Sequence, residues 1–115
     1  METVKLFSKR HATEAVLDAT QAATQAGEAA LVERCKLGDR LAFDELISQH
    51  QERVRNLSFR LMGNYDEALD LTQEVFINCF RKIRLFKGDS AISTWLYRIT
   101  VNKAKNRWKY QNSRG

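Results

Sequence analysis

The chain contains no proline, only two cysteines and two histidines, and no long apolar run. Each shortage excludes something. Without proline nothing interrupts long helices, and a chain with 3.6-residue apolar periodicity then reads as all-helical. Cys35 and Cys79 belong to no CxxC pair, and His11 and His50 lie far from both in sequence. A structural zinc site uses about four ligands at characteristic spacings, so no metal is expected and the two thiols read as buried and reduced. No stretch approaches the roughly 18 apolar residues that span a bilayer. The start, METVKLFSKRHATEA, lacks the apolar segment of roughly 7–15 residues that a secretory signal uses. These features predict a cytoplasmic chain without membrane insertion. Paired acid and base residues, a glycine-rich phosphate loop and a metal cluster are all missing from the pattern. The reading is therefore a protein without enzyme activity and without a cofactor.

What is present is an uneven charge. Of 115 residues, the first 80 carry nine basic and thirteen acidic side chains, a net −4. The last 35 carry ten basic side chains and one acid, Asp89, a net +9. An acidic front and a basic rear imply two different partners, and the basic third has the footprint of a nucleic-acid contact. The plainer reading of that third is a solvated basic tail.

Glycines at 38, 63 and 88 divide the chain. Each is followed within two residues by a helix-starting side chain: Asp39, Asn64, and Asp89 or Ser90. Glycine after one helix and Asn, Asp or Ser before the next is the expected order. Asn64 with Glu67 has the spacing of a capping box. Helices are thus predicted over roughly 28–37, 40–62, 65–84 and 91–109. Their apolar stripes are first of all core. The second has Leu41, Phe43, Leu46, Ile47, Val54, Leu57, Phe59 and Leu61. The third has Leu69, Leu71, Val75, Phe76, Cys79, Phe80 and Ile83, and the fourth Ile92, Trp95, Leu96 and Ile99. The predicted fold class is all-α, a compact bundle of about four helices. Residues 1–28, rich in Ala, Thr and Gln, are expected to form a loose helix or disordered extension with no assigned role. The polar, basic end QNSRG reads as the start of a linker at 113–115, leading to a further domain.

Two helices carry unusual surfaces. On the third, Asp66, Asp70 and Glu74 recur every four residues, with Gln73 beside them. Like charges at this spacing destabilise a helix by about 0.2–0.5 kcal/mol per pair. The helix dipole accounts for Asp66 and Glu67 in the first turn, but poorly for Asp70 and Glu74. A basic partner would repay the cost; a solvated face is the plainer account. On the fourth helix, Tyr97, Val101, Ala104 and Trp108 fall roughly opposite the core stripe. Thr94, Arg98, Lys105 and Lys109 run beside them, and Asn102 and Asn106 lie between the basic stripe and the core. Cations hold phosphates while aromatic rings stack on unpaired bases, and Asn amides can read base edges. Packing of Tyr97 and Trp108 on a neighbouring helix would explain the same spacing. The loop LFKGDS at 85–90 exposes backbone near a helix start, which suits a phosphate or a flipped base.

Three stretches together resemble a known family: GDRLAFDELI at 38–47, DLTQEVFINCFRKI at 70–83 and FKGDSAISTWLYRITVNKAKN at 86–106. They are similar, in order and spacing, to region 2 of extracytoplasmic-function sigma factors, over about residues 29–112. The resemblance implies a helical domain that docks on the β′ clamp helices of core RNA polymerase through Asp70, Gln73, Glu74 and Phe76. It implies recognition of the promoter −10 element on the non-template single strand. The residues implied there are Lys87, Gly88, Asp89, Ser90, Ala91 and Ile92 in the loop and helix start. On the helix they are Thr94, Tyr97, Arg98, Val101, Asn102, Lys105 and Asn106. It also implies an anti-sigma factor as a further partner. Region 4, the helix-turn-helix domain that reads the −35 element, has no counterpart in this sequence. Two other readings compete. A generic basic DNA-binding helical module, such as a helix-turn-helix repressor fragment, leaves the acidic face unexplained. A helical adaptor that binds only protein leaves the +9 rear unexplained.

Overall fold

A computed structural model describes residues 27–114, with side chains placed through residue 110. The chain divides after Ala30. Of the first unit, residues 27–30 are described and are helical. The prediction for residues 1–26 lies outside the described residues. In the second unit the order is α1 (31–36), then α2 (Arg40–Met62), α3 (Tyr65–Lys82), a single 3-10 turn (Ile83–Leu85) and α4 (Ile92–Arg114). No strand occurs among the described residues. The all-α architecture predicted from sequence is the one observed.

The predicted boundaries rest on identifiable caps. The Asp39 carboxylate accepts from the Leu41 and Ala42 amides at 3.1 and 3.2 Å. Its other oxygen lies 2.9 Å from the Arg34 guanidinium, which ties the end of α1 to the start of α2. The Asn64 side chain accepts from the Glu67 amide at 3.2 Å and opens α3. Gly63 ends α2 at φ 69°, its N–H donating to the Phe59 carbonyl. A side-chain-bearing residue is strained in that left-handed conformation. The start of α4 departs from expectation. The Trp95 amide bonds the Ala91 carbonyl, which puts Ala91 at the cap position instead of Asp89 or Ser90. The Ser90 hydroxyl donates to the Ala91 carbonyl at 3.4 Å.

The core lies where α2, α3 and α4 meet, with α2 and α3 in the most extensive contact. Leu46, Leu71, Val75, Cys79 and Leu96 are fully enclosed. On α2 the buried stripe is Ala42, Leu46, His50, Val54 and Ser58, a strict step of four. Leu41 and Phe59, expected in the core, are exposed; each sits about 100° around the helix from its buried neighbour. Phe80 is likewise exposed, though its ring meets Phe43 edge-on at 5.1 Å. On α4, Ile92 and Leu96 are buried as expected, but Thr100 and Ala104 join them while Trp95 and Ile99 are only half-buried. The Thr100 hydroxyl donates to the Leu96 carbonyl at 2.7 Å, which removes the cost of burying it. Both cysteines are buried and unbridged.

Candidate functional site

The loop between the 3-10 turn and α4 is anchored at one end and open in the middle. Phe86 is buried, its ring 5.1 Å from that of Trp95, and the Lys36 ammonium lies 5.8 Å from its centroid. Gly88 then takes φ 77°, where only glycine turns without strain. This lifts Lys87, Gly88, Asp89 and Ala91 into solvent, with Ser90 half-buried. Ile92 differs: at 3% exposure it belongs to the core. Its apolar side chain seats α4, so what it offers at the loop's edge is its backbone.

Along α4, Thr94, Tyr97, Arg98, Asn102, Lys105 and Asn106 are exposed, and Val101 is half-buried. They cover the side of the helix turned away from Leu96 and Thr100. Tyr97 keeps 55% of its surface accessible, so it is not consumed by packing. Ala104, which the periodicity placed on that outer face, is 5% exposed. The reason is that α4 is gripped by both α2 and α3, and the double contact widens the buried arc.

A cleft of about 320 Å³ opens between α2 and α4, beside this face. Ser93, Tyr97 and Thr100 form its α4 wall, and Arg53, Asn56 and Arg60 its α2 wall. Two guanidinium groups, an amide and a phenol thus border one concavity, with Leu57 and Leu96 as apolar lining. Such a combination is able to hold a phosphate at the rim and an aromatic ring inside. Sequence reasoning missed Arg53, Asn56 and Arg60. Their spacing of three and four along α2 was the available signal.

The other surface lies on α3. Asp70, Gln73 and Glu74 are exposed. Phe76, named with them, is only 7% exposed and is part of the floor of a groove between α2 and α3. This groove, about 530 Å³, is walled by Phe43 and Ile47 of α2 and by Gln73, Ile77 and Phe80 of α3. Ile77 and Phe80 are more than half exposed and were not foreseen as surface. Glu74 is partly neutralised from within, since its carboxylate lies 3.3 Å from Nε of Arg107 on α4. Among the described residues no cluster of three or more His, Cys, Asp or Glu could hold a metal ion. No described helix is long and apolar enough to cross a membrane.

The comparison with known proteins decides the family. The Sigma-70 region 2 model matches residues 46–114. This chain belongs to the sigma-70 region 2 family. It is 46% identical to the RNA polymerase sigma-H factor of Pseudomonas aeruginosa over 72% of its length and 43% of that protein's. It is 48% identical to the ECF RNA polymerase sigma-E factor of Haemophilus influenzae, over 73% of this chain and 44% of the relative. The Escherichia coli K12 sigma-E factor is 47% identical over 66% and 39%. The chain therefore spans less than half the length of the curated relatives it matches, and within the family it groups with the extracytoplasmic-function members. Its fold is similar to an engineered region 2 of sigmaE, solved by NMR in complex with GTAAAA. The TM-score is 0.68 at 40% identity, covering 76% of this chain and 90% of that one.

Proposed function

We propose that this sigma region 2 domain docks on the β′ clamp helices of core RNA polymerase and recognises the promoter −10 element on the non-template single strand. The domain extends over about residues 29–112, with 1–28 an extension. It acts without catalysis and in the cytoplasm, where the polymerase is, and an anti-sigma factor covers the docking surface when the domain is held inactive.

One observation carries the reading: the outer face of α4 presents Tyr97, Arg98, Asn102, Lys105 and Asn106 next to the cleft bordered by Arg53 and Arg60. Extruding a base from a duplex costs a few kcal/mol, and stacking returns about 1–3 kcal/mol per base. The face is therefore suited to hold a strand that is already opening. Lys87 through Ala91 supply backbone and short polar side chains at the start of that path, with the Ile92 backbone at its edge. The α3 surface supports docking through Asp70, Gln73 and Glu74 over the groove floored by Phe76.

The docking test is binding of the chain to core polymerase, or to a fragment containing the clamp helices, with Glu74→Arg and Arg107→Gln as variants. We expect Glu74→Arg to weaken binding at least tenfold. Arg107→Gln breaks the internal ion pair without reversing charge on α3, and should leave binding within about threefold, since exposed pairs are worth about 0–1 kcal/mol. Equal binding by wild type and Glu74→Arg would rule out docking through α3.

A further inference from the structure

A second hollow follows the first along the seam between α2 and α4. It holds about 450 Å³ and is lined by Leu61, Val101, Ala104, Lys105, Trp108 and Lys109. Three features set it apart from the Arg53–Arg60 cleft. Its floor, Leu61, Val101 and Ala104, carries no side-chain hydrogen-bonding group. Its rim carries Lys105 and Lys109, one turn apart, and no acid. Trp108 borders it with 60% of its surface exposed, and a tryptophan left this open on a single domain loses burial worth having. Val101 and Trp108 lie on the same strip of α4 as Tyr97, at steps of four and seven.

We propose that this hollow is a further nucleobase site, in which an unpaired base stacks on Trp108 and is held by its face alone. The inference rests on the promoter-strand reading above and extends it. Charge selects the occupant. Two ammonium groups at the rim, within a segment of net +9, favour a polyanion over an apolar peptide or a second copy of this chain. The bare floor selects the mode: with nothing to pair with base edges, the site tolerates any base. Trp108 is eleven residues beyond Tyr97, roughly 16 Å along the axis. That is the span of about five nucleotides stacked at 3.4 Å each. A strand held at Tyr97 by one of its inner nucleotides reaches the hollow with the fifth nucleotide beyond that one, which lies past the end of a hexamer.

The experiment uses the whole chain and the single-stranded hexamer it binds best, chosen from GTAAAA and a random pool. Each hexamer is extended by six nucleotides at its 5′ or 3′ end. On one of the two sides the extension should raise affinity roughly 5- to 150-fold, the range of base–aromatic stacking. Trp108→Ala should abolish that increment while leaving hexamer affinity within about twofold, and Trp108→Tyr should keep most of it. Abasic nucleotides in the extension should remove the increment, and the four bases should give it alike. An increment that survives in Trp108→Ala, or with abasic nucleotides, overturns the proposal. So does strong preference for one base, or a dimer in sedimentation that Trp108→Ala dissolves. Failure of every hexamer to bind wild type is a different result: it rejects the promoter-strand reading and this site with it.

Discussion

Cys79 shows how far one side chain's surroundings set its chemistry. It has no exposed surface, and burial pushes its thiol up to about 12, with Cys35 adding a smaller upward push. Cys35, also buried, is raised chiefly by desolvation. A thiol whose folded value exceeds its ordinary one of about 8.5 stabilises the fold fully below that ordinary value. The contribution is lost as pH rises toward the folded value. Urea midpoints should therefore decline between about pH 8.5 and 12, and Cys79→Ala should flatten that decline. A decline of the same slope in the variant would assign it to other groups. Asp39 has the opposite sign. Its carboxyl is held below the usual range, first by the Arg34 side chain and then by the α2 amides. Its contribution is complete above the ordinary Asp value and fades as pH falls through the lowered one. Ser58 is another case of placement: its side chain is enclosed in the α2 stripe, and its hydroxyl has no hydrogen-bond partner among the described residues.

Among the elements, α4 does two jobs on opposite sides. One side, Ile92, Leu96, Thr100 and Ala104, is core; the other is the proposed DNA surface. Rigid seating matters because side chains reading a base work from a fixed backbone. In the proposed contact Asn102 and Lys105 divide the labour by chemistry. An amide has both donor and acceptor and can discriminate base edges, whereas an ammonium only donates and meets phosphate. Asn102→Ala should compress the affinity difference between a preferred hexamer and its single-base variants by about 1–3 kcal/mol. Lys105→Gln should weaken all of them together and reduce the salt slope by about 0.7, the value for one single-strand phosphate contact. Competition binding across the variant set measures both. Unchanged discrimination in Asn102→Ala would remove that residue from base reading. Through Glu74 and Arg107, α3 and α4 also share a surface ion pair, so the proposed docking helix and the proposed reading helix are joined by more than the core.

At the scale of the molecule, the division of charge becomes a division of surface. The net −4 of residues 1–80 includes the exposed α3 acids, and the net +9 of residues 81–115 includes the loop and α4. A basic surface alone would bind duplex and single strand alike. The Tyr97 face and its cleft should add a preference for single strands, since only unpaired bases offer free faces. We expect at least tenfold tighter binding to the best single-stranded hexamer than to a duplex containing it, at about 0.15 M salt. Titration of both in parallel checks this, and equal affinities would favour a generic basic DNA-binding module.

The sequence by itself determined the helices and the junctions between the first three of them. Asp39, Asn64 and Gly63 act through bonds to residues two to four positions away, so local spacing was enough to find them. It also determined the charge division and, through the 86–106 stretch, the family. The tertiary structure decided which faces are inside. Leu41, Phe59 and Phe80 look like core but face out, while Ser58, Thr100 and Ala104, outside the apolar stripes, are enclosed. Periodicity could not settle these, because a helix packed by two neighbours buries a wider arc, and polar or small side chains such as His50, Ser58 and Ala42 hold positions that hydrophobicity does not mark. The cleft that pairs Arg53, Asn56 and Arg60 with Tyr97 is likewise a product of packing. About forty residues of chain separate its two walls, and only the fold of α2 against α4 brings them together.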